Sequence, residues 1–240
     1  MKKPVLVLMD IDNTIYHYQT SHSIALASMK ELWEKYQLGH FDILYEKAKL
    51  LVKKHIDKFA SSHSRLLYAQ KMLELKGHAQ RLDWALELEN VYWTAFIKNT
   101  NLFPNVRTWL KLLKKHSIPV VFVTDLTARI QFEKIKGWEL LSLFDAIVTS
   151  EESGYDKPFP LIFEMACAKV GFSGNGDIWM IGDSVSKDME GASKFNAVTL
   201  WKRNGSAHTM HSNISASFDS FADLIELIDI GSSGGIIWNH

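Results

Sequence analysis

The sequence predicts a doubly wound, Rossmann-like α/β domain built on a parallel sheet and interrupted by an all-helical insertion. Three observations predict it. Five short apolar runs lie along the chain, each followed by a turn and then by residues at helical spacing. The runs lack the apolar–polar alternation of a half-exposed strand, as expected where helices cover both faces of a sheet. After the first run comes a long segment with no proline and only two glycines, Gly39 and Gly77, whose apolar residues repeat every three or four positions.

Taken in order, the runs are Val5 to Asp10, Val120 to Thr124, Ala146 to Thr149, Ile178 to Ile181 and Ala197 to Trp201. Helices are expected near 105–116, 127–137, 159–170 and 186–195. In the insertion, about 21–100, helix faces are marked by Leu26, Met29, Trp33 and Tyr36, by Leu44, Ala48 and Leu51, and by Trp84, Leu88, Val91 and Ala95. Breaks at Gly39, Ser61-Ser62 and Gly77 leave room for roughly four helices. The expected division is an α/β core of residues 1–18 and 102–240 and a helical cap of residues 19–101. The aromatic stripe in the insertion reads as bundle core. Residues 231–240, with three glycines and two serines ahead of Trp238, read as a tail that is flexible at its start.

Composition narrows the class. At 47% hydrophobic and 22% charged residues, the 240-residue chain is that of a folded protein, not a disordered one. Lys and Arg total 27 and Asp and Glu total 27, so no global field gathers nucleic acid or acidic lipid. The lone Cys167 excludes an intrachain disulfide; with Phe163, Ala166 and Val170 it reads as helix core. The run Val5 to Met9 is too short for a signal peptide, and no stretch approaches the roughly 20 apolar residues of a membrane span. A cytoplasmic location is expected. The sequence carries no signal for oligomeric state.

The chemistry sits at the strand ends. The first run closes in Asp10-Ile11-Asp12-Asn13-Thr14. Residues two apart on a strand face the same way, so Asp10 and Asp12 share one side at the edge where ligands of open α/β sheets bind. Two carboxylates so close call for a cation or a shared proton, and a hard metal suits oxygen ligands. The later runs end in Thr124-Asp125, in Asp156-Lys157-Pro158 beyond the third, and in Gly182-Asp183 with Asp188 five residues on. A hydroxyl, an ammonium and two further carboxylates are thus brought towards the Asp10 pair.

This set resembles the four motifs of the haloacid dehalogenase superfamily: Asp-x-Asp-x-Thr, a Thr strand end, Lys-Pro, and Gly-Asp-x4-Asp. The resemblance covers about residues 1–18 and 102–230, and the family's helical cap is inserted where residues 21–100 lie. The segments around Thr124, Lys157 and Asp183 are most similar to sugar-phosphate and nucleotide phosphatases of the family. It implies that Asp10 attacks phosphorus and that Asp12 handles protons as acid and then base. Magnesium would be held by Asp10, the backbone carbonyl of Asp12, and Asp183, with Asp188 behind them orienting Lys157 or a metal-bound water. Asn13, Thr14, Thr124 and Lys157 would hold the phosphorylated substrate, a small metabolite. A phosphotransferase or mutase similar to β-phosphoglucomutase, and a silent binding module, are the alternatives. Dehalogenation is disfavoured because halide leaves without the proton that Asp12 offers.

One position departs from the family, which often has Asn where this chain has Asp125. Either Asp125 points away or it keeps a proton beside Asp10. In the cap, Lys47, Lys49, Lys53, Lys54, His55, Lys58, His63 and Arg65 read as a solvated face, or else as a positive lid for a second acidic group. His17, His22 and the pair His208 and His211 read as ordinary polar residues. Arg129 could meet a phosphate or face solvent.

Overall fold

The computed structural model describes residues 2–207, 211–230 and 237–238. The first strand, β1 (Leu6–Met9), leads into four helices: α1 (Tyr18–Lys35), α2 (Phe41–Ile56), α3 (Arg65–Leu75) and α4 (Leu82–Lys98), with a 3-10 turn at Ala60–His63. Then follow α5 (Val106–Lys115), β2 (Val120–Thr124), α6 (Ala128–Gly137), β3 (Ala146–Thr149), α7 (Ser150–Ser153) and α8 (Pro160–Lys169). The chain ends with β4 (Ile178–Gly182), a π turn (Val185–Met189) running into α9 (Glu190–Ser193), β5 (Val198–Lys202), β6 (Ala216–Phe218), α10 (Phe221–Ile230) and β7 (Ile237–Trp238).

The seven strands lie in the order β3-β2-β1-β4-β5-β6-β7. The first six are parallel, and β7 pairs antiparallel with β6. The sheet is α/β and Rossmann-like, as expected, with β1 and its Asp10 near the centre. Strand β1 divides its side chains between two cores. Val7 and Met9 join Phe122, Trp179 and Ile181 on one face, with Trp109 of α5 and Leu224 of α10. Leu6 and Leu8 join Val121, Val123 and Met180 on the other, with Ile162 and Phe163 of α8. Each such side chain gains about 1.5–3 kcal/mol on burial, which pins the strand register. No helix among the described residues is long and apolar enough to cross a membrane.

The helical insertion is reached through a narrow neck. Tyr16 and Leu102 form an antiparallel bridge, and the Phe103 amide donates to the Ile15 carbonyl at 2.8 Å. Within the insertion Trp33, Tyr45, Tyr68, Tyr92 and Phe96 are buried, so the aromatic stripe is core. Cys167 is half-buried against the α8 core.

Two strands and two helices escaped the sequence reading. Strand β6 is only Ala-Ser-Phe, too short to stand out. Strand β7 lies inside the segment read as a tail, of which residues 231–236 and 239–240 lie outside the described residues. Helix α7 is a single turn, whereas α10 buries Phe221, Leu224 and Leu227 at helical spacing and carried a readable signal.

Candidate active site

Strand β1 delivers Asp10 to the carboxyl edge of the sheet, where its amide donates to the Ile181 carbonyl of β4 at 2.9 Å. Asp10 is 5% exposed and lines a cavity of about 270 Å³. Asp12, Asp125, Lys157, Asp183 and Asp188 line the same cavity. Four separate strand ends have therefore converged, as the motif spacing predicts.

Lys157 is the hub. Its buried ammonium donates to Asp10 Oδ1 at 2.6 Å, to Asp188 Oδ1 at 2.7 Å and to the Val123 carbonyl at 2.9 Å. Burial alone would lower its pKa, but the two carboxylates outweigh it and hold the ammonium charged. Asp188 also accepts from the Ser184 amide at 3.0 Å. The π turn folds this side chain back over Gly182, where a Cβ would stand 2.3 Å from Asp188 Oδ2, so only glycine fits there.

Oxygens of Asp10, Asp183 and Asp188 all lie within 4.8 Å of one another. Burial pushes all three carboxyls up, Asp183 to about 7 with Asp188 beside it. Three crowded carboxylates share one ammonium, an unbalanced negative set of hard oxygens suited to a divalent cation. Asp188, expected behind the metal ligands, stands in one cluster with Asp10 and Asp183, while the Asp12 side chain, of which only the backbone carbonyl was expected as a ligand, turns to other partners.

Asp12 is occupied on α6. Its Oδ1 accepts from Lys134 Nζ at 2.7 Å and from the Tyr16 hydroxyl, and its Oδ2 from Gln131 Nε2 at 2.8 Å. Burial pushes the Asp12 carboxyl up, but the charge and hydrogen bond of Lys134, with those of Tyr16 and Gln131, outweigh it and hold the carboxyl below the ordinary range. Lys134 itself is buried against the rings of Tyr16 and Phe96. Its spacing from Gln131, three residues apart on a face with buried Ile130 and Ile135, is the signal that could have flagged both.

Three residues expected to hold substrate have side chains engaged elsewhere. Thr14 Oγ1 donates to Asp10 Oδ2 at 2.8 Å, steadying the carboxylate. Asn13 Oδ1 accepts from the Tyr18 amide at 3.0 Å at the start of α1. Thr124 is fully buried, and its hydroxyl accepts from Gln131 Nε2 at 2.6 Å. None of the three lines the cavity.

Asp125 does not point away from the site. Its Oδ1 accepts from the Lys157 amide at 2.8 Å and its Oδ2 from Lys187 Nζ at 2.9 Å, so it lines the cavity as half of an ion pair. Lys187 was hidden inside the last motif.

Tyr18, the first residue of α1, lines the cavity together with His63, Arg65 and Trp93 of the helical insertion. His63 Nε2 meets Asp156 Oδ2 at 2.8 Å, and the Asp156 amide donates to the Lys58 carbonyl at 2.9 Å, fastening cap to core. Lys47, Lys54, His55 and Lys58 are exposed, as a solvated face requires, but His63 and Arg65 are turned inward. His17 accepts from the Thr20 amide at the start of α1, and Arg129 pairs with Glu133 in solvent. His211 is described and exposed, while His208 lies outside the described residues.

Comparison with known proteins points to one family. A family model described as haloacid dehalogenase-like hydrolase matches residues 5–196. The chain is 33% identical over 198 residues to a ribulose-1,5-bisphosphate 5-phosphatase of Halopiger xanaduensis, covering 81% of each chain. It is 27% identical over 209 residues to the human N-acylneuraminate-9-phosphatase, covering 83% of each. Among solved structures, a HAD phosphatase from Thermococcus onnurineus superposes with a TM-score of 0.70 at 21% identity, over 93% of this chain and 97% of that one. A 2-haloacid dehalogenase from Pseudomonas syringae reaches 0.76 at 20% identity, over 95% and 99%. At such identities the structural likeness speaks for the fold alone.

Proposed function

The chain belongs to the haloacid dehalogenase-like hydrolases and is a phosphatase of that family; from that premise we propose that it hydrolyses a small phosphorylated metabolite through a covalent intermediate on Asp10. The observation that carries this reading is the buried Asp10 carboxylate facing the cavity with Lys157 at 2.6 Å and two further carboxylates beside it. Relatives that act on a phosphorylated sugar and on an N-acylneuraminate phosphate support a substrate of sugar-like size, and a cavity of about 270 Å³ suits one.

Asp10, Asp183 and Asp188 would hold the divalent cation, and magnesium is the ion we propose. When bound, it neutralises charge between an anionic nucleophile and an anionic phosphate. The rest falls to the chain. An Asp10 oxygen attacks phosphorus in line, the bond to the leaving oxygen breaks, and Asp12 delivers a proton to that oxygen. In the second half, Asp12 takes a proton from water, the water oxygen attacks phosphorus, and Asp10 is released. Lys157 stays charged throughout and balances the phosphoryl oxygens. With Lys134 holding its carboxyl low, the ionised form of Asp12 that serves the second step is the resting one, and the first step draws on the less populated protonated form.

The test is phosphate release from a panel of monophosphate esters, with magnesium and with a chelator, in wild type and Asp10→Asn. Magnesium-dependent release should fall by about a thousandfold or more in the variant. Release that persists in Asp10→Asn would overturn the covalent route.

A further inference from the structure

Both lysines lining the cavity have an opposite charge in contact: Lys157 binds Asp10 and Asp188, and Lys187 binds Asp125. Arg65 has no carboxylate among the described residues. Yet it is only 6% exposed, and its Nε finds no acceptor.

Its position is built with care. Ser64 caps α3 by accepting from the Leu67 amide at 3.2 Å, which fixes Arg65 as the first residue of that helix. The guanidinium lies 5.0 Å from the Tyr92 ring centroid, 5.3 Å from that of Trp93 and 5.5 Å from that of Tyr68. One Nη donates to the His63 carbonyl at 2.6 Å, and the other to the hydroxyls of Tyr18 and of Tyr92, the latter at 3.2 Å. These contacts orient the charge without neutralising it. Ring faces and neutral oxygens repay only part of what it costs to bring a guanidinium out of water. An aromatic cluster that merely needed packing would be better served by a neutral side chain.

The Tyr18 hydroxyl accepts from Arg65, which leaves its own proton for another acceptor. Tyr18 and Arg65 line the same cavity as Asp10. A ligand with one phosphate at Asp10 therefore shares that cavity with a buried positive charge and a phenolic donor.

We propose that Arg65 and Tyr18 receive a second anionic group of the substrate, a carboxylate or a second phosphate, so that the preferred substrate is a small phosphomonoester with two acidic groups. The proposal deepens the hydrolase reading above and depends on it for the placement of the first phosphate. Arg65 is a specificity determinant: it takes no part in the chemistry at phosphorus, and it selects what is brought there.

The test compares matched esters. 3-Phosphoglycerate against glycerol 3-phosphate isolates a carboxylate, and fructose 1,6-bisphosphate against fructose 6-phosphate isolates a phosphate. Wild type should favour the member with the second anion by about tenfold or more in kcat/KM in at least one pair, chiefly through KM. Arg65→Gln should collapse that ratio by about tenfold, Arg65→Lys should recover part of it, and Tyr18→Phe should lower it by about threefold. Melting curves report whether each variant folds. Should Arg65→Gln fail to fold, the other two variants decide, and a ratio unchanged in both overturns the proposal. Equal losses for both members of a pair would make Arg65 a packing residue and overturn it too.

Binding separates this proposal from the hydrolase reading. Calorimetric titration of 3-phosphoglycerate and of fructose 1,6-bisphosphate into Asp10→Asn, with and without Arg65→Gln, is run alongside. Turnover without preference sinks the Arg65 assignment and keeps the hydrolase. Arg65-dependent binding with no turnover of any ester by wild type sinks the hydrolase and keeps the assignment.

Discussion

At the scale of single residues, the site is a set of charges arranged so that each cation restrains a particular carboxylate. Lys134 is the clearest case, fully buried and bound to Asp12 at 2.7 Å. Replacing it with Met leaves Asp12 without its counter-charge, and chemical denaturation should show a loss of about 3 kcal/mol, with phosphate release falling as well. His22 gives a prediction of opposite character. Its ring meets the Tyr92 hydroxyl at 2.6 Å, and burial, with Arg65 and Lys49 nearby, pushes its pKa down to about 4. The unfolded ring takes a proton near pH 6.5 and the folded one does not, so stability falls as pH drops from about 6.5 to about 4. Urea titrations at pH 7 and pH 4.5 should show wild type losing about 1 kcal/mol more than His22→Gln, once solvent screening of a partly exposed ring is allowed for. The meeting of Asp10, Lys157, Asp183 and Asp188 was legible from their places at or just beyond strand ends and from the motifs they resemble. Lys134 and Lys187 were not legible, and Arg65 was read only as one of eight basic cap residues, because what distinguishes them is a partner, or the lack of one, brought by a distant part of the chain.

At the scale of elements, the end of β4 is the most constrained turn in the molecule. Gly182 has no room for a side chain because the π turn returns Asp188 across it. Gly182→Ala should cost about 1–3 kcal/mol in a melting experiment and displace the carboxylate that steadies Lys157. A variant of wild-type activity would show that the Asp188 position is adaptable. The expected strands and helices of the core were legible because buried parallel strands and the helices between them each leave a strong apolar pattern. Strand β6 was not, since three residues carry too little pattern to read. Helix α10 was legible in principle through Phe221, Leu224 and Leu227, and its omission was one of reading, not of signal.

At the scale of the whole molecule, a divalent cation held as proposed by Asp10, Asp183 and Asp188 would couple metal binding to folding, since those carboxylates gather only in the folded chain. A divalent cation that binds only the folded chain adds about 2.7 kcal/mol at a hundredfold excess over its Kd, a rise in Tm of about 5–10 °C for a chain this long. Scanning calorimetry should show that rise with magnesium, its reversal by a chelator and its absence in Asp183→Asn. An unshifted wild-type Tm would count against the metal site. The insertion was legible as helical from its spacing, but its inward face was not: Arg65 and the exposed Lys54 look alike on paper. The neck at Tyr16 and Leu102 bears on how such a molecule can change over generations. Because the chain leaves the sheet and returns to it side by side, the helical part behaves towards β1 and β2 much as a short hairpin loop would. Mutation can remodel the helices, and with them the choice of substrate, while the nucleophile and its supporting lysine stay where the sheet puts them. Ancestral and descendant enzymes can thus part company in diet while sharing one chemistry.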